Sequence, residues 1–180
     1  MEDAAATERD KLIVRVLADT GVRLGELLAL RPTDVRSEGG KNLFKVRGKG
    51  DRERLVPLAP SLARRLRRFA DRSRPEATSD RLFLTLRRGR TSGQLDSLTE
   101  SAVEQMIRSL GEVARVEKRV YPHLLRHSFA TEYLRRGGNP ILLQQILGHS
   151  SLMMITQTYQ HLTVADAHDE LMRLLSTDPR

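Results

Sequence analysis

The chain has 180 residues, 30% of them charged and 39% hydrophobic, enough for one well-cored domain or at most two small ones. It contains no cysteine, no apolar run near the ~18 residues of a bilayer span, and no signal-peptide core in MEDAAATERD, which excludes disulfides and cysteine-ligated zinc and fits a reducing, cytoplasmic setting. Lys and Arg total 31 against 23 Asp and Glu, a net charge of +8 with a pI near 10.5, so a polyanionic partner is expected, nucleic acid before membrane.

In chain order, Thr7 is suited to cap a first helix carrying Leu12, Ile13, Val16 and Leu17 and stopped at Gly21. Residues 1–6 ahead of it read as a flexible tail. A short second helix, RLGELLAL, ends before Pro32. Residues 42–47 (NLFKVR) and 53–58 (ERLVPL) read as two strands around the turn GKGD. Helix signals return at 60–72, a strand fits RLFLTL at 81–86, and a further helix runs from about Thr99 to Ala114. The polar stretch RRGRTSGQLDS reads as a surface excursion. Pro122 opens and Gly137-Gly138 closes the next helix, Asn139-Pro140 opens another that Gly148 closes, and two more are expected through Tyr159 and from Thr163 to about Leu175. No internal repeat is present. The expectation is one mainly α domain over 1–180 with a small antiparallel β-sheet.

The basic residues cluster as RRLRR at 64–68, RRGR at 87–90 and RR at 135–136, and four Phe, three Tyr and no Trp argue for duplex backbone contact over single-strand stacking. Within YPHLLRHSFATEYL, steps of ~100° put Leu125, Phe129, Ala130, Tyr133 and Leu134 on one half of a helix, with Arg126 in the middle of that arc and His123 one turn earlier. An arginine on an apolar face needs a partner, either an internal carboxylate or a phosphate held in a cleft. Arg23 repeats the oddity between Leu27 and Leu30, with Glu26 at i+3 as a structural partner. His123 and His127 have the i, i+4 spacing of a zinc pair, but Leu124 stands where the glutamate of H-E-x-x-H belongs, so no metal site is expected. No glycine-rich nucleotide loop occurs, so no ATP or other cofactor is expected.

Five segments in order, TGVRLGELLAL, VRGKGDRERLVPL, PHLLRHSFATEYL, LGHSS and TQTYQHL, resemble the catalytic domain of the tyrosine recombinase (phage integrase) family, over about Thr20 to Leu162. The resemblance implies six catalytic residues: Arg23 and Arg126 on the phosphate, Lys49 in the hairpin turn as general acid, His123 as proton acceptor, His149 as hydrogen-bond donor and Tyr159 as nucleophile. Two guanidiniums answer the chemical need, because cleaving a phosphodiester puts extra negative charge on the non-bridging oxygens. A phenol with a pKa near 10 needs such cations and a base before it attacks. Periodicity alone would make Tyr159 a core residue, since Leu152, Ile155 and Leu162 share its face, and would make Lys49 an ordinary turn residue.

What the resemblance implies is DNA cleavage and rejoining through a 3′-phosphotyrosyl bond, without metal or ATP, by a homo-tetramer on double-stranded DNA that is a monomer alone. Residues 163–175 would dock on a neighbouring subunit through Leu171, Leu174 and Leu175, or pack on their own domain. Barely twenty residues precede Arg23, so the separate N-terminal DNA-binding domain usual in the family is expected to be absent. A type IB topoisomerase and a non-catalytic basic DNA-binding module remain alternatives.

Overall fold

A computed structural model of the chain describes residues 1–48, 53–73, 79–86, 88, 93, 95–148 and 172. Helix α1, Glu8–Thr20, begins where the Thr7 hydroxyl accepts the Asp10 N–H and ends at Gly21 in the left-handed conformation, as its sequence predicts. Its inward face buries Leu12, Ile13, Val16 and Leu17 completely. Residues 1–6, expected as a tail, lie against the domain: Ala5 is buried, Met1 touches the core, and Glu2 pairs with Arg65.

Helix α2, Leu24–Ala29, and a 3₁₀ turn, Pro32–Asp34, lead into an antiparallel sheet of three strands in the order β1 (Val35–Glu38), β2 (Lys41–Arg47), β3 (Glu53–Pro57). The extra strand β1 corrects the two-stranded expectation. Glu38 pairs with Lys41 across Gly39-Gly40, both at positive φ, which is the two-residue hairpin chemistry that Gly-Gly signals. With only Val35 buried, VRSE carries no alternation to advertise itself.

The sheet buries Phe44, Val46 and Val56 against α1 to α3, α3 being Pro60–Arg68 followed by a π-helical turn, Phe69–Ser73. The strand expected at 81–86 is absent as a ladder. Leu82, Phe83 and Leu84 are buried as a continuous apolar run, but only Leu84 forms a bridge, to Ser97. The Leu82 N–H donates to the Leu30 oxygen and the Thr85 N–H to that of Asp96, so apolar burial alone does not make a ladder. Helix α4, Glu100–Val113, is capped by Thr99; α5 is Pro122–Arg135, and α6, Pro140–Leu147, runs from an Asn139 cap to left-handed Gly148.

Helix α5 crosses α1, yet the burial of its apolar arc differs from expectation. Only Pro122 and Arg126 are buried; Leu125, Phe129, Ala130, Tyr133 and Leu134 are half-covered. Leu124 and Leu125 pack against the core, and the buried arginine in the middle of the helix adds directional bonds to that contact. Among the described residues no helix is long and apolar enough to cross a membrane.

Candidate active site

Between α2, the β2–β3 hairpin base, α4 and the first turn of α5 lies a cleft of about 990 Å³, lined among others by Arg23, Glu26, Arg54, His123, Arg126 and Gly148. Three of the six sequence-predicted residues, Arg23, His123 and Arg126, meet here. Lys49, His149 and Tyr159 lie outside the described residues.

Arg126 is 2% exposed. Its Nη1 donates to the Gly21 carbonyl oxygen and its Nη2 to that of Leu147 at 2.8 Å, so it ties the end of α1 to the end of α6. Both of these acceptors are main-chain oxygens. Burial pushes the guanidinium down to about 10, Arg23 and Arg54 press the same way, and Glu26 opposes them. It remains a cation at neutral pH.

Gly21 makes this arrangement possible in two ways. Its φ of +61° suits glycine, and a Cβ there would stand 2.5 Å from the Phe129 ring and 2.9 Å from Leu147. The residue that ends α1 is thus pressed against the helices whose side chain and carbonyl meet at Arg126.

Arg23 is the N-cap residue of α2, with a side chain 41% exposed at the cleft, which corrects its expected position on an apolar face. The expected partner is confirmed: Arg23 Nη1 donates to Glu26 Oε1 at 3.0 Å, and the Arg23 backbone N–H to Glu26 Oε2 at 2.7 Å. Its Nη2 reaches toward the Gly148 oxygen at 3.4 Å. His123 and His127 are both exposed on α5, His123 on the cleft wall. Among the described residues no group of three or more His, Asp or Glu side chains is placed to hold a metal ion.

Sequence reasoning missed Arg54. From β3 its guanidinium donates to both oxygens of Glu26, at 2.7 and 2.8 Å, and its Nε to the Ile146 oxygen at 2.8 Å. The signal was available, because period-two spacing puts Arg54 on the same strand face as buried Val56. Glu26 is 7% exposed. Its burial alone would raise its pKa, but the Arg54 hydrogen bonds, the Arg23 N–H, the Arg54 charge and the Arg23 side chain outweigh that and hold it below 4.5. A second buried carboxylate, Asp34, takes the Arg47 guanidinium in bidentate fashion at 3.0 and 3.1 Å and accepts the Arg31 N–H, fixing the base of the β2–β3 hairpin.

The profile of the phage integrase family matches residues 1–166. Tyrosine recombinase XerD of Chlorobaculum tepidum is 38% identical over 158 residues, 86% of this chain and 49% of the relative. Tyrosine recombinase XerA of Saccharolobus solfataricus is 34% identical over 176 residues, 97% of this chain and 53% of the relative. A crystal structure of XerA recombinase superposes with a TM-score of 0.77 at 39% identity, covering 99% of this chain and 62% of that one. The XerH site-specific recombinase bound to its difH substrate in a pre-cleavage complex gives 0.73 at 26% identity, covering 94% of this chain and 49% of that one. The chain spans about half the length of the curated relatives it matches.

Proposed function

The chain belongs to the phage integrase family, and from that premise we propose that it is the catalytic part of a site-specific DNA recombinase that cleaves and rejoins double-stranded DNA through a phosphotyrosyl intermediate. The observation that carries the reading is the convergence of Arg23, Arg126 and His123 on one cleft, with Arg126 buried yet held by neutral carbonyls.

In the proposed reaction the non-bridging oxygens of the scissile phosphate accept hydrogen bonds from Arg23 and Arg126, joined by His149. The Tyr159 hydroxyl attacks phosphorus and His123 takes its proton. A bond forms between Tyr159 and the 3′ phosphate, the bond to the 5′ oxygen breaks, and Lys49 supplies the proton that oxygen needs. A 5′ hydroxyl from a partner duplex then reverses the step. The roles of Lys49, His149 and Tyr159 rest on the family motifs, as does a tetramer on DNA, while a cytoplasmic location fits the cysteine-free sequence.

The test is covalent trapping. A pool of nicked duplexes, randomised around the nick, loses a short 5′-hydroxyl fragment after attack and cannot be resealed. The chain is expected to accumulate as a protein–DNA adduct that survives boiling in detergent, and Tyr159→Phe to form none while still binding duplex. An adduct that persists with phenylalanine at 159 would identify another nucleophile. Duplex binding with no adduct from the unaltered chain would make it a binding module instead.

A further inference from the structure

Three consecutive carbonyl oxygens at the end of α6 each meet a different arginine. Ile146 accepts from Arg54 on β3 at 2.8 Å, Leu147 from Arg126 on α5 at 2.8 Å, and Gly148 faces Arg23 at the start of α2 at 3.4 Å. The last carbonyls of a helix lack intrahelical partners and carry the negative end of its dipole, so a cation there is favoured electrostatically. Of the three arginines, Arg23 and Arg126 are those assigned to the phosphate. Arg54 differs from both. Its side chain is 14% exposed, its Nη atoms are spent on the two oxygens of Glu26, and its Nε is spent on Ile146.

The contacts are close enough to transmit position. Gly148 has a φ of +65°, and a Cβ added to it would stand 3.0 Å from Cδ, Nε and Cζ of Arg54. The helix end therefore rests directly on the Arg54 side chain. Glu26, gripped from one side by Arg54, is gripped from the other by the backbone and guanidinium of Arg23. One planar fork thus fixes the acceptor that orients Arg23 and the helix end that holds Arg126.

We propose that Arg54 is a positioning residue: by joining Glu26 to the Ile146 carbonyl it sets where the Arg23 and Arg126 guanidiniums lie in the cleft. It does not touch the phosphate itself. The catalytic consequence rests on the cleavage reading above, whereas the geometric one does not. Lysine cannot replace it, because a single ammonium can neutralise Glu26 but cannot grip both carboxylate oxygens and a carbonyl in fixed directions.

Two variants test this, with two readouts. Arg54→Lys keeps the charge opposite Glu26; Arg54→Met combined with Glu26→Gln removes both charges yet leaves a side-chain oxygen to accept the Arg23 N–H. Each is expected to melt within about 4 °C of the unaltered chain, the shift of roughly 1 kcal/mol in a domain of this size. In arginine-labelled protein, exchange of the Arg126 guanidinium protons with solvent, assigned by their loss in Arg126→Lys, is expected to accelerate at least tenfold in both variants. The rate of covalent adduct formation with the randomised nicked-duplex pool is expected to fall about a hundredfold, while affinity for the duplex stays within twofold. Unchanged Arg126 exchange in a folded variant, or an unaltered adduct rate alongside faster exchange, would overturn the proposal. So would failure of both variants to fold, which would make Arg54 a purely structural counter-charge. If the unaltered chain forms no adduct, the cleavage reading fails, and the exchange comparison still decides whether Arg54 positions Arg126.

Discussion

Helices α1 and α5 cross one another, and both carry apolar arcs in sequence, yet they are held in opposite ways. Helix α1 is seated by hydrocarbon: Leu12, Ile13, Val16 and Leu17 are fully buried, Thr7 caps its start and Gly21 its end. Helix α5 has no side-chain cap, leaves its apolar residues half-covered, and buries an arginine that clasps two main-chain oxygens. Hydrocarbon burial is non-directional and tolerates small displacements, whereas hydrogen bonds from a rigid guanidinium fix distance and angle. The first kind of seat supplies stability. The second holds a charge in a defined place.

The largest stability effect should therefore fall on the α1 side and be indifferent to chemistry. Leu17→Ala removes buried methyl groups from a closed part of the core and is expected to cost about 2–5 kcal/mol. Denaturant unfolding should show a lower midpoint with an unchanged slope. Adduct formation by the fraction still folded should stay close to that of the unaltered chain. A selective loss of adduct would erase the contrast between the two helices.

Arg126→Ala should invert that profile. It strands the carbonyls of Gly21 and Leu147, a loss of about 1–3 kcal/mol for each on the scale for orphaned buried acceptors. The relief of no longer burying a cation offsets part of it. Adduct formation should disappear from protein that remains folded, read by the same unfolding curves and by trapping gels run in parallel. A stability loss larger than that of Leu17→Ala would make Arg126 a structural pillar first.

Acidification probes the polar seat without mutation. Glu26 is held below 4.5 in the folded chain, so the folded state binds its proton less readily than the unfolded one. The stability it contributes is fully present above pH 4.5 and is lost as the pH falls through its lower folded value. Unfolding curves taken below pH 4.5 should show this loss, and a Glu26→Gln variant should show a shallower slope over the same window. Parallel slopes would mean that other carboxylates carry the acid response.

How much of this was legible in the sequence follows the same division. Helix α1 was readable to the residue because its cap, its 3.6-residue pattern and its glycine stop all agree. The oddity of Arg126 was readable too, and so was the Arg23–Glu26 pairing. What was not readable was the acceptor set, since main-chain oxygens carry no residue identity: nothing in the letters Gly21 or Leu147 announces a carbonyl aimed at Arg126. Helix periodicity does not locate Arg23, because the residue lies just outside α2, where backbone angles are extended. Strand β1 has no alternation to mark it and the run at 82–84 has hydrocarbon without a ladder, so burial is a poor proxy for pairing at both places.

The smallest predicted effect sharpens the contrast at the two helix starts. Thr7 supplies an oxygen to the first turn of α1, whereas the residue in the same position on α5, Tyr121, supplies none and is 47% exposed on the cleft wall. Its backbone is already extended, as a cap residue requires, and Pro122 follows at the first helical position. Tyr121→Asp would place a carboxylate where the His123 and Leu124 N–H groups can donate to it, and its charge would complement the helix dipole. A gain of about 1 kcal/mol in unfolding free energy is expected, typical of a good cap. The same carboxylate would lie among Arg23, His123 and Arg126, so affinity for a labelled duplex, read by fluorescence anisotropy at fixed low salt, should fall. Stability and binding are predicted to move in opposite directions from a single substitution. If both rose together, the start of α5 would not face the DNA, and the cleft would have to engage its phosphate from the α2 side alone.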